Sequence, residues 1–433
     1  MDAKLRTPVR RAPLPPAPRP IPPRRAAMQQ AARAAFLRSE MLFAVAALFL
    51  FSQALVPLLL ETAGGGGGGG EGYESNMTLR LMFATLHAGS LFLLLVHWRD
   101  GVAAAARHWP VVALVGLAIA STAWSGAPDI TLRRSFAFLG TTAFGLLLAA
   151  RYDTRTLLRL TAWALGIAAV MSVVFAVALP SYGVDQGVHA GAWQGIYTEK
   201  NTLGQMMALS TVVFLLLRPT LKRRWIATAG ALLSVALVLL STSGSALIIL
   251  VGFAVLAGLF RTMRLRYTLA VPIAIGFVLA GGIAAVWVVS NFESTMVAMG
   301  KDPTLTGRTP MWATLVRSIA ERPWQGYGYS AFWLGHEGPS ARALAEIGWE
   351  TPGAHNGYLD LGLQLGLAGL ALFLAGFAAA LSRAFATVRG TRTLEGFWPG
   401  LFLAFMLLYN FTETMLATPN NIFWALYVAT VCS

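Results

Sequence analysis

Residues 357–380 read GYLDLGLQLGLAGLALFLAGFAAA, a run that contains one charged side chain, Asp360. A helix rises about 1.5 Å per residue, so this run is long enough to cross the roughly 30 Å hydrocarbon core of a bilayer. Similar runs recur along the chain, and of its 433 residues 56% are hydrophobic and 12% are charged. Soluble proteins carry about 25% charged residues. The composition therefore excludes an ordinary soluble enzyme and predicts an all-α polytopic membrane protein.

Twelve apolar runs of about span length predict about twelve transmembrane helices. They lie at 41–60, 79–97, 109–125, 134–150, 157–180, 201–217, 225–241, 244–260, 267–290, 357–380, 397–415 and 419–432. Most connections between them are short. The exceptions are residues 181–200 and the large loop, residues 291–356, between the predicted spans nine and ten. Long loops often carry function, so functional residues are expected there.

The basic residues predict the orientation of the chain. Residues 1–38 hold nine Lys or Arg side chains and eight prolines, a composition that predicts a disordered basic cytoplasmic tail before a membrane domain at 39–433. With the tail inside, 24 of the 33 basic residues face the cytoplasm, as the positive-inside rule requires. The net charge of +14 is thus explained without nucleic acid. The single cysteine, Cys432, excludes an internal disulfide and a CxxC metal site.

A histidine stands where the large loop re-enters the membrane. The segment 354–358 reads AHNGY, which places His355 directly before the predicted span, with Asn356 and Tyr358 beside it. An imidazole, with an unperturbed pKa of about 6.5, can take a proton from a hydroxyl near neutral pH, and the membrane edge partly excludes water. The alternative is a solvated histidine or one that caps the helix.

Two cations on the same side are candidates for binding an anion. Lys200 and Asn201 precede an apolar run, and a cation at a helix N-terminus favours a phosphate. The alternative is a lysine that snorkels to the membrane surface. Arg308 can hold a pyrophosphate with its planar fork, or it can form an ordinary surface ion pair.

One carboxylate lies near the outer end of the eleventh predicted span. An unpaired Glu413 would be costly there, so we expect it either to pair with Arg308 or Lys200 or to face water at the interface. The large loop is also rich in aromatic residues, which suit an interfacial belt or stacking on sugar faces. These are Trp312, Trp324, Tyr327, Tyr329, Phe332 and Trp333.

The order of several short motifs resembles the O-antigen ligase and O-antigen polymerase superfamily. These motifs are Gly307-Arg308 with Trp312, Pro323 with Gly326-Tyr327-Gly328, and Ala354-His355-Asn356-Gly357-Tyr358 followed by Gly366. The upstream Lys200-Asn201-Thr202-Leu203-Gly204 looks like the exopolysaccharide polymerase branch. The resemblance covers about residues 41–433.

The resemblance implies a GT-C-like, metal-independent, inverting glycosyltransferase without a cofactor, in the bacterial inner membrane, with the large loop and the active site on the periplasmic face. It implies an undecaprenyl-pyrophosphate-linked glycan as donor, a glycan or lipid A core as acceptor, and polysaccharide export or chain-length proteins as partners. It makes His355 the base, and Arg308 the group that holds the pyrophosphate. Lys200 stands where ligases have an arginine, which keeps the charge but loses the bidentate fork. The expected substrate-binding residues are Asn201, Trp312, Tyr327, Asn356, Tyr358 and Glu413.

Four functions agree with this pattern. A polymerase of lipid-linked repeat units is favoured, partly because of Lys200, and the alternatives within the same chemistry are an O-antigen ligase and a protein O-oligosaccharyltransferase. The fourth is a multispan transporter or flippase. The sequence shows no convincing half-to-half repeat and few ionisable residues at mid-span, both of which a coupled transporter is expected to have.

Overall fold

The computed structural model describes residues 23–61, 76–262 and 308–433, except residues 188, 337, 350, 352 and 392, together with residues 268, 269, 272, 273 and 276. No strand forms among them, although Val184 and Trp193 make an isolated antiparallel bridge. The helices are α1 (Pro23–Phe51), α2 (Val56–Glu61), α3 (Met77–Val96), α4 (Trp98–Arg107), α5 (Trp109–Ala120), α6 (Pro128–Arg151), α7 (Thr154–Ala178), α8 (Lys200–Leu217), α9 (Arg224–Leu240), α10 (Gly244–Thr262), α11 (Arg308–Glu321), α12 (Ser340–Ile347), α13 (Gly357–Gly390), α14 (Trp398–Tyr409) and α15 (Ile422–Val431). Shorter helical turns occur at Ser121–Ala123, Pro180–Gly183, Arg218–Thr220 and Leu394–Phe397.

The N-terminal unit ends at Phe43, and the main unit runs from Ala44 to Ser433. Helix α1 begins at Pro23, so residues 23–38 of the predicted disordered tail are helical instead. Proline is favoured in the first turn of a helix, and the alanine-rich stretch 26–35 that follows has high helix propensity. The predicted domain start at residue 39 therefore falls inside a continuous helix. Residues 1–22 of the predicted tail lie outside the described residues.

The all-helical, multi-pass architecture is confirmed, with fewer full-length spans than predicted. In the described part of the chain, six helices are long and apolar enough to cross a membrane, or seven if α4 and α5, bent by 95°, form one span. Helices do occupy eleven of the twelve predicted positions. The ninth, 267–290, lies almost entirely outside the described residues.

Several predicted spans are shorter, interrupted or more polar than their apolar runs suggested. The helices Arg224–Leu240, Leu394–Tyr409 and Ile422–Val431 each have 17 residues or fewer. The first predicted span, 41–60, is interrupted after Phe51 because Gln53 and Leu55 adopt positive φ angles of 65° and 64°. Helix α6 is long, but Asp129, Arg133 and Arg134 lie in its first two turns.

Two tryptophans inside the helical packing donate hydrogen bonds to threonine side chains of neighbouring helices. Helix α15 is buried on every side and packs against α6. Its Trp424 Nε1 donates to Thr142 Oγ1 over 2.9 Å, and Trp398 Nε1 donates to Thr430 Oγ1 over 3.0 Å. Such pairing is needed because a membrane interior offers no water to satisfy polar atoms.

Helix α13 is broken, and the large loop fills the break. Gly366 has non-helical angles, with φ 64° and ψ −168°. The amides of Tyr327 and Gly328 donate to the carbonyls of Leu363 and Gln364 over 2.8 and 3.0 Å. In the other direction, the amide of Leu367 donates to the carbonyl of Pro323 over 2.6 Å. The loop thus satisfies backbone groups that the break in the helix exposes, as a membrane environment requires.

The described part of the large loop has its own hydrophobic core. Met311, Leu315, Phe332 and Ala343 pack with Leu363 of α13. This core corrects the interpretation of Tyr327 and Phe332 as part of an interfacial belt or a sugar-stacking surface. Tyr327 and Phe332 are buried in this core, which covers the apolar face of α11. Tyr329 is buried elsewhere, with its ring stacked on Phe138 of α6, whereas Trp324 remains 73% exposed.

Candidate functional site

His355 lies in a short segment that is fixed on both sides. The carbonyl of Ala354 accepts a hydrogen bond from Trp312 Nε1 over 2.8 Å. Asn356 caps α13, since its Oδ1 accepts from the amides of Tyr358 and Leu359 over 3.0 and 3.2 Å. His355 itself has a φ of 47°, a left-handed conformation that non-glycine residues seldom adopt. Such backbone strain persists where surrounding contacts hold it, and it often marks functional sites.

His355 and Arg308 meet at Glu413. His355 Nδ1 lies 3.4 Å from Glu413 Oε2, and Arg308 Nη2 lies 3.6 Å from Glu413 Oε1. Arg308 Nη1 also donates to the carbonyl of Thr412 over 2.7 Å. The side chains of Arg308, His355 and Glu413 are 22%, 27% and 21% exposed, so a reactant can reach them. Of the pairings expected for Glu413, the structure shows the one with Arg308.

The segment that carries Glu413 is joined to the segment that carries His355. The carbonyl of Asn410 accepts from the amide of Gly357 over 2.8 Å. Asn410 Oδ1 accepts from the amides of Met415 and Leu416 over 2.9 and 3.1 Å. A Cβ atom on Gly357 would lie 2.2 Å from Asn410 Oδ1, so the close approach requires glycine. The AHNG motif and the 410–416 turn therefore form one rigid unit.

Asp360 links three segments around this unit, and the sequence did not single it out as a site residue. Its buried carboxylate accepts from the amide of Ala354 over 3.2 Å and from Trp333 Nε1 over 2.7 Å. It also accepts from Thr414 Oγ1, next to Glu413. A carboxylate in the first turn of an apolar span is costly unless it is paired, and that cost was the available sequence signal.

The start of α8 is coupled electrostatically to the cluster. Burial raises the pKa of the Glu199 carboxyl, and repulsion from Glu413 raises it further, while His355 and Arg308 lower it. Lys200 is the first residue of α8, directly after Glu199. Asn201 supports the scaffold, because its Oδ1 accepts from Ser243 Oγ over 3.0 Å, just before α10.

The two predicted tyrosines lie in the supporting structure. The Tyr327 hydroxyl is 3.0 Å from the carbonyl of Ser318 and 2.9 Å from Glu321 Oε2, within the loop core. Burial and Glu321 raise the pKa of Tyr327 to about 12. The Tyr358 hydroxyl donates to the carbonyl of Leu407 over 2.7 Å and so joins α13 to α14.

Of the nine predicted site residues, the structure brings Arg308, His355 and Glu413 together and places Trp312 and Asn356 in the backbone support of His355. For metal binding, no suitable group of three or more His, Cys, Asp or Glu side chains occurs within the residues that the structure describes.

These features define a class of protein: a multi-pass helical membrane protein with a partly open His–Glu–Arg cluster beside a loop anchored on a broken span. Comparison with known proteins agrees with this class. Residues 228–374 match the family model Wzy_C, O-antigen ligase, a range that includes Arg308, His355 and Gly366. The chain is also 28% identical over 348 residues to the exopolysaccharide production protein ExoQ of Rhizobium meliloti (strain 1021), covering 76% of this chain and 78% of that protein.

Both findings show that this chain is similar to proteins of the O-antigen ligase/polymerase-like type. They confirm the resemblance predicted from the sequence. They support a glycan-processing function of the ligase or polymerase type, carried out in a membrane. The family suggests that the protein is a glycosyltransferase-like enzyme.

Proposed function

We propose that this protein is an inner-membrane glycan polymerase. It transfers oligosaccharide repeat units from undecaprenyl pyrophosphate to a growing polysaccharide chain on the periplasmic face. The proposal rests on one observation: His355 and Arg308 both contact the carboxylate of Glu413. A base and a cation beside one another are what a transfer from a pyrophosphate donor needs.

His355 acts as the general base in this proposal. Glu413 faces Nδ1, so it favours the tautomer that carries a proton there and leaves Nε2 as the acceptor atom. Nε2 then takes the proton of the acceptor hydroxyl as its oxygen attacks the anomeric carbon. This arrangement uses the same division of roles as a His–carboxylate pair in other enzymes, in which the carboxylate orients the imidazole.

Arg308 stabilises the leaving group. As the new glycosidic bond forms, the bond between the anomeric carbon and the pyrophosphate oxygen breaks, and the electron pair leaves with undecaprenyl pyrophosphate. A guanidinium has five N–H donors in a planar fork, so the contacts with Thr412 and Glu413 leave donors for phosphate oxygens. Lys200 adds charge from the start of α8. A single displacement inverts the anomeric configuration, and these side chains supply the proton transfer and the charge stabilisation without a metal or a cofactor.

The second candidate is an O-antigen ligase, which the description of the matching family model favours. Such an enzyme would transfer the finished glycan to lipid A core by the same chemistry, so the two candidates differ in the acceptor. The similarity to an exopolysaccharide production protein favours the polymerase.

The test is glycan chain length in a deletion strain that expresses wild type, His355→Ala or Arg308→Ala at matched levels. Surface glycans and lipid-linked glycans are resolved by size. A polymerase predicts single repeat units on the lipid carrier in both variants, and a ligase predicts full-length chains on the carrier. His336→Ala, at an exposed histidine of the same loop, is the control and should match wild type. Unchanged profiles in both site variants would remove the catalytic assignment and leave a transporter as the better explanation.

A further inference from the structure

A cavity lies near the C-terminal end of α8, away from the His–Glu–Arg cluster. The C-terminal half of α8, together with α9, α10 and the start of α14, encloses this cavity of about 640 Å³. Leu216 in its wall is about 24 Å along α8 from Lys200, from the rise of 1.5 Å per residue. This cavity is therefore separate from the cluster around His355, and its volume is typical of a small-molecule site, roughly 300–1,000 Å³.

The wall of the cavity is apolar. Leu250, Phe253 and Ala257 of α10 face Leu216 of α8 and Leu401 of α14 across it. Leu215, which also lines the cavity, is 51% exposed, so the space opens toward the surface of the helices that lipid would cover. An apolar space of this kind suits an acyl chain.

Among the residues that the structure describes, the lining includes three arginines and no acidic side chain. Arg218 follows α8, Arg224 begins α9, and Arg261 lies in the last turn of α10. All three are exposed, and Arg218 Nε donates to Thr228 Oγ1 over 3.1 Å, which holds its side chain beside α9. Three guanidinium groups around one space make its rim positively charged, and arginine is well suited to bind phosphate.

We propose that this cavity binds one anionic phospholipid. An acyl chain lies against the apolar wall, and the phosphate lies among Arg218, Arg224 and Arg261. These residues belong to the segments that the positive-inside rule places in the cytoplasm, where anionic lipids meet basic pockets between spans. The occupant is thus a lipid of the cytoplasmic leaflet and not the lipid-linked donor of the proposed reaction.

The test measures the thermal stability of the full-length chain in detergent during titration with phosphatidylglycerol or with phosphatidylcholine of the same acyl chains. Wild type should gain stability with phosphatidylglycerol in a saturable way and much less with phosphatidylcholine. The triple variant Arg218→Gln/Arg224→Gln/Arg261→Gln should bind phosphatidylglycerol roughly 100-fold more weakly, since each basic residue near an anionic lipid contributes about fivefold.

Two further variants separate a site from general charge. Arg223→Gln removes the exposed neighbour of Arg224 that does not line the cavity, and it should behave like wild type. Ala257→Phe fills part of the apolar space and should weaken binding without changing any charge. Equal responses to the two lipids, equal losses in Arg223→Gln and the triple variant, or stronger binding of undecaprenyl phosphate than of phosphatidylglycerol would overturn the proposal.

Discussion

Glu413 is the residue on which the proposed chemistry converges, because it contacts both His355 and Arg308. Glu413→Gln keeps the shape of the side chain but removes the charge that orients the imidazole. We expect the turnover number of the purified protein to fall roughly 100-fold, within the range that general-base catalysis contributes. Glu346→Gln is the matched control, since Glu346 pairs with Arg317 on the exposed face of the same loop. Equal turnover in the two variants would contradict the role of Glu413.

Asp360 is expected to act as a positioning residue. Asp360→Asn replaces one carboxylate oxygen with an NH2 group, which donates and does not accept. The single remaining oxygen cannot accept from Ala354, Trp333 and Thr414 together. We expect kcat to fall at least ~10-fold with little change in KM, and a loss of stability of about 1–3 kcal/mol for unsatisfied buried groups. Kinetics and thermal unfolding on the same sample measure both quantities. A variant with wild-type kcat and lower stability would limit Asp360 to a structural role.

The raised pKa of Glu199 predicts that the stability of the protein depends on pH. Its carboxyl has a raised pKa in the folded protein, so the folded state holds the proton more tightly than the unfolded state does. Its contribution to stability is therefore greatest below the ordinary carboxyl value of 4.5 and is lost as the pH rises through the raised pKa. Glu199→Gln should consequently unfold at a higher temperature than wild type at pH ~7.5, with a difference that shrinks as the pH falls. A difference that grows toward low pH would be the contrary result.

At the scale of elements, the break in α13 determines where the large loop sits. A Cβ atom on Gly366 would lie 2.4 Å from the backbone of Trp324, and the φ of 64° is itself unfavourable for alanine. We expect Gly366→Ala to lower stability by at least ~1 kcal/mol and to expose the loop to limited proteolysis. Gly252→Ala in α10, where a Cβ atom meets none of the described residues within 4 Å, should be neutral or slightly stabilising. Similar behaviour of the two variants would show that the break tolerates a side chain.

The elements were predictable to different degrees for identifiable reasons. Apolar runs located the helices, because burial in lipid and helix formation depend on the same composition. The ends of the helices were less predictable. Positive φ angles at Gln53 and Leu55 interrupt the first predicted span, and no glycine or asparagine at those two positions signals it. The break at Gly366 depends on hydrogen bonds from residues 323–328, about 40 positions earlier in the chain, so no local pattern reveals it.

The reactive side chains of the candidate site were predictable from the sequence, whereas the residues that hold them in place were less so. His355 stood out as an imidazole at the membrane edge and Arg308 as a planar cation suited to pyrophosphate. Glu413 stood out because an unpaired carboxylate near the end of a span is costly. Tyr327 stood out for the same aromatic character that makes it part of the loop core, and sequence alone does not separate core from surface in a loop of this length. The sequence did not reveal the role of Asp360, because two of its partners, Trp333 and Thr414, lie 27 and 54 positions away in the chain.

At the scale of the whole molecule, the candidate active site and the proposed lipid site are associated with opposite ends of α8. The His–Glu–Arg cluster interacts electrostatically with Glu199, directly before α8, and the arginine-lined cavity lies toward the other end of that helix. With the orientation that the positive-inside rule predicts, the proposed reaction takes place on the periplasmic face and the proposed lipid site lies on the cytoplasmic face. A transfer enzyme needs a reactive site on one face only, in contrast to a transporter, whose substrate must reach both.

The decisive measurement is turnover by the purified full-length protein in lipid nanodiscs, supplied with an undecaprenyl-pyrophosphate-linked repeat unit as both donor and acceptor. Release of undecaprenyl pyrophosphate and growth of the glycan are followed together. We predict that His355→Gln lowers turnover by about 10²-fold or more while donor binding is retained, as loss of a general base should, and that His336→Gln matches wild type. Turnover of His355→Gln within twofold of wild type would contradict an active site built on His355, Glu413 and Arg308.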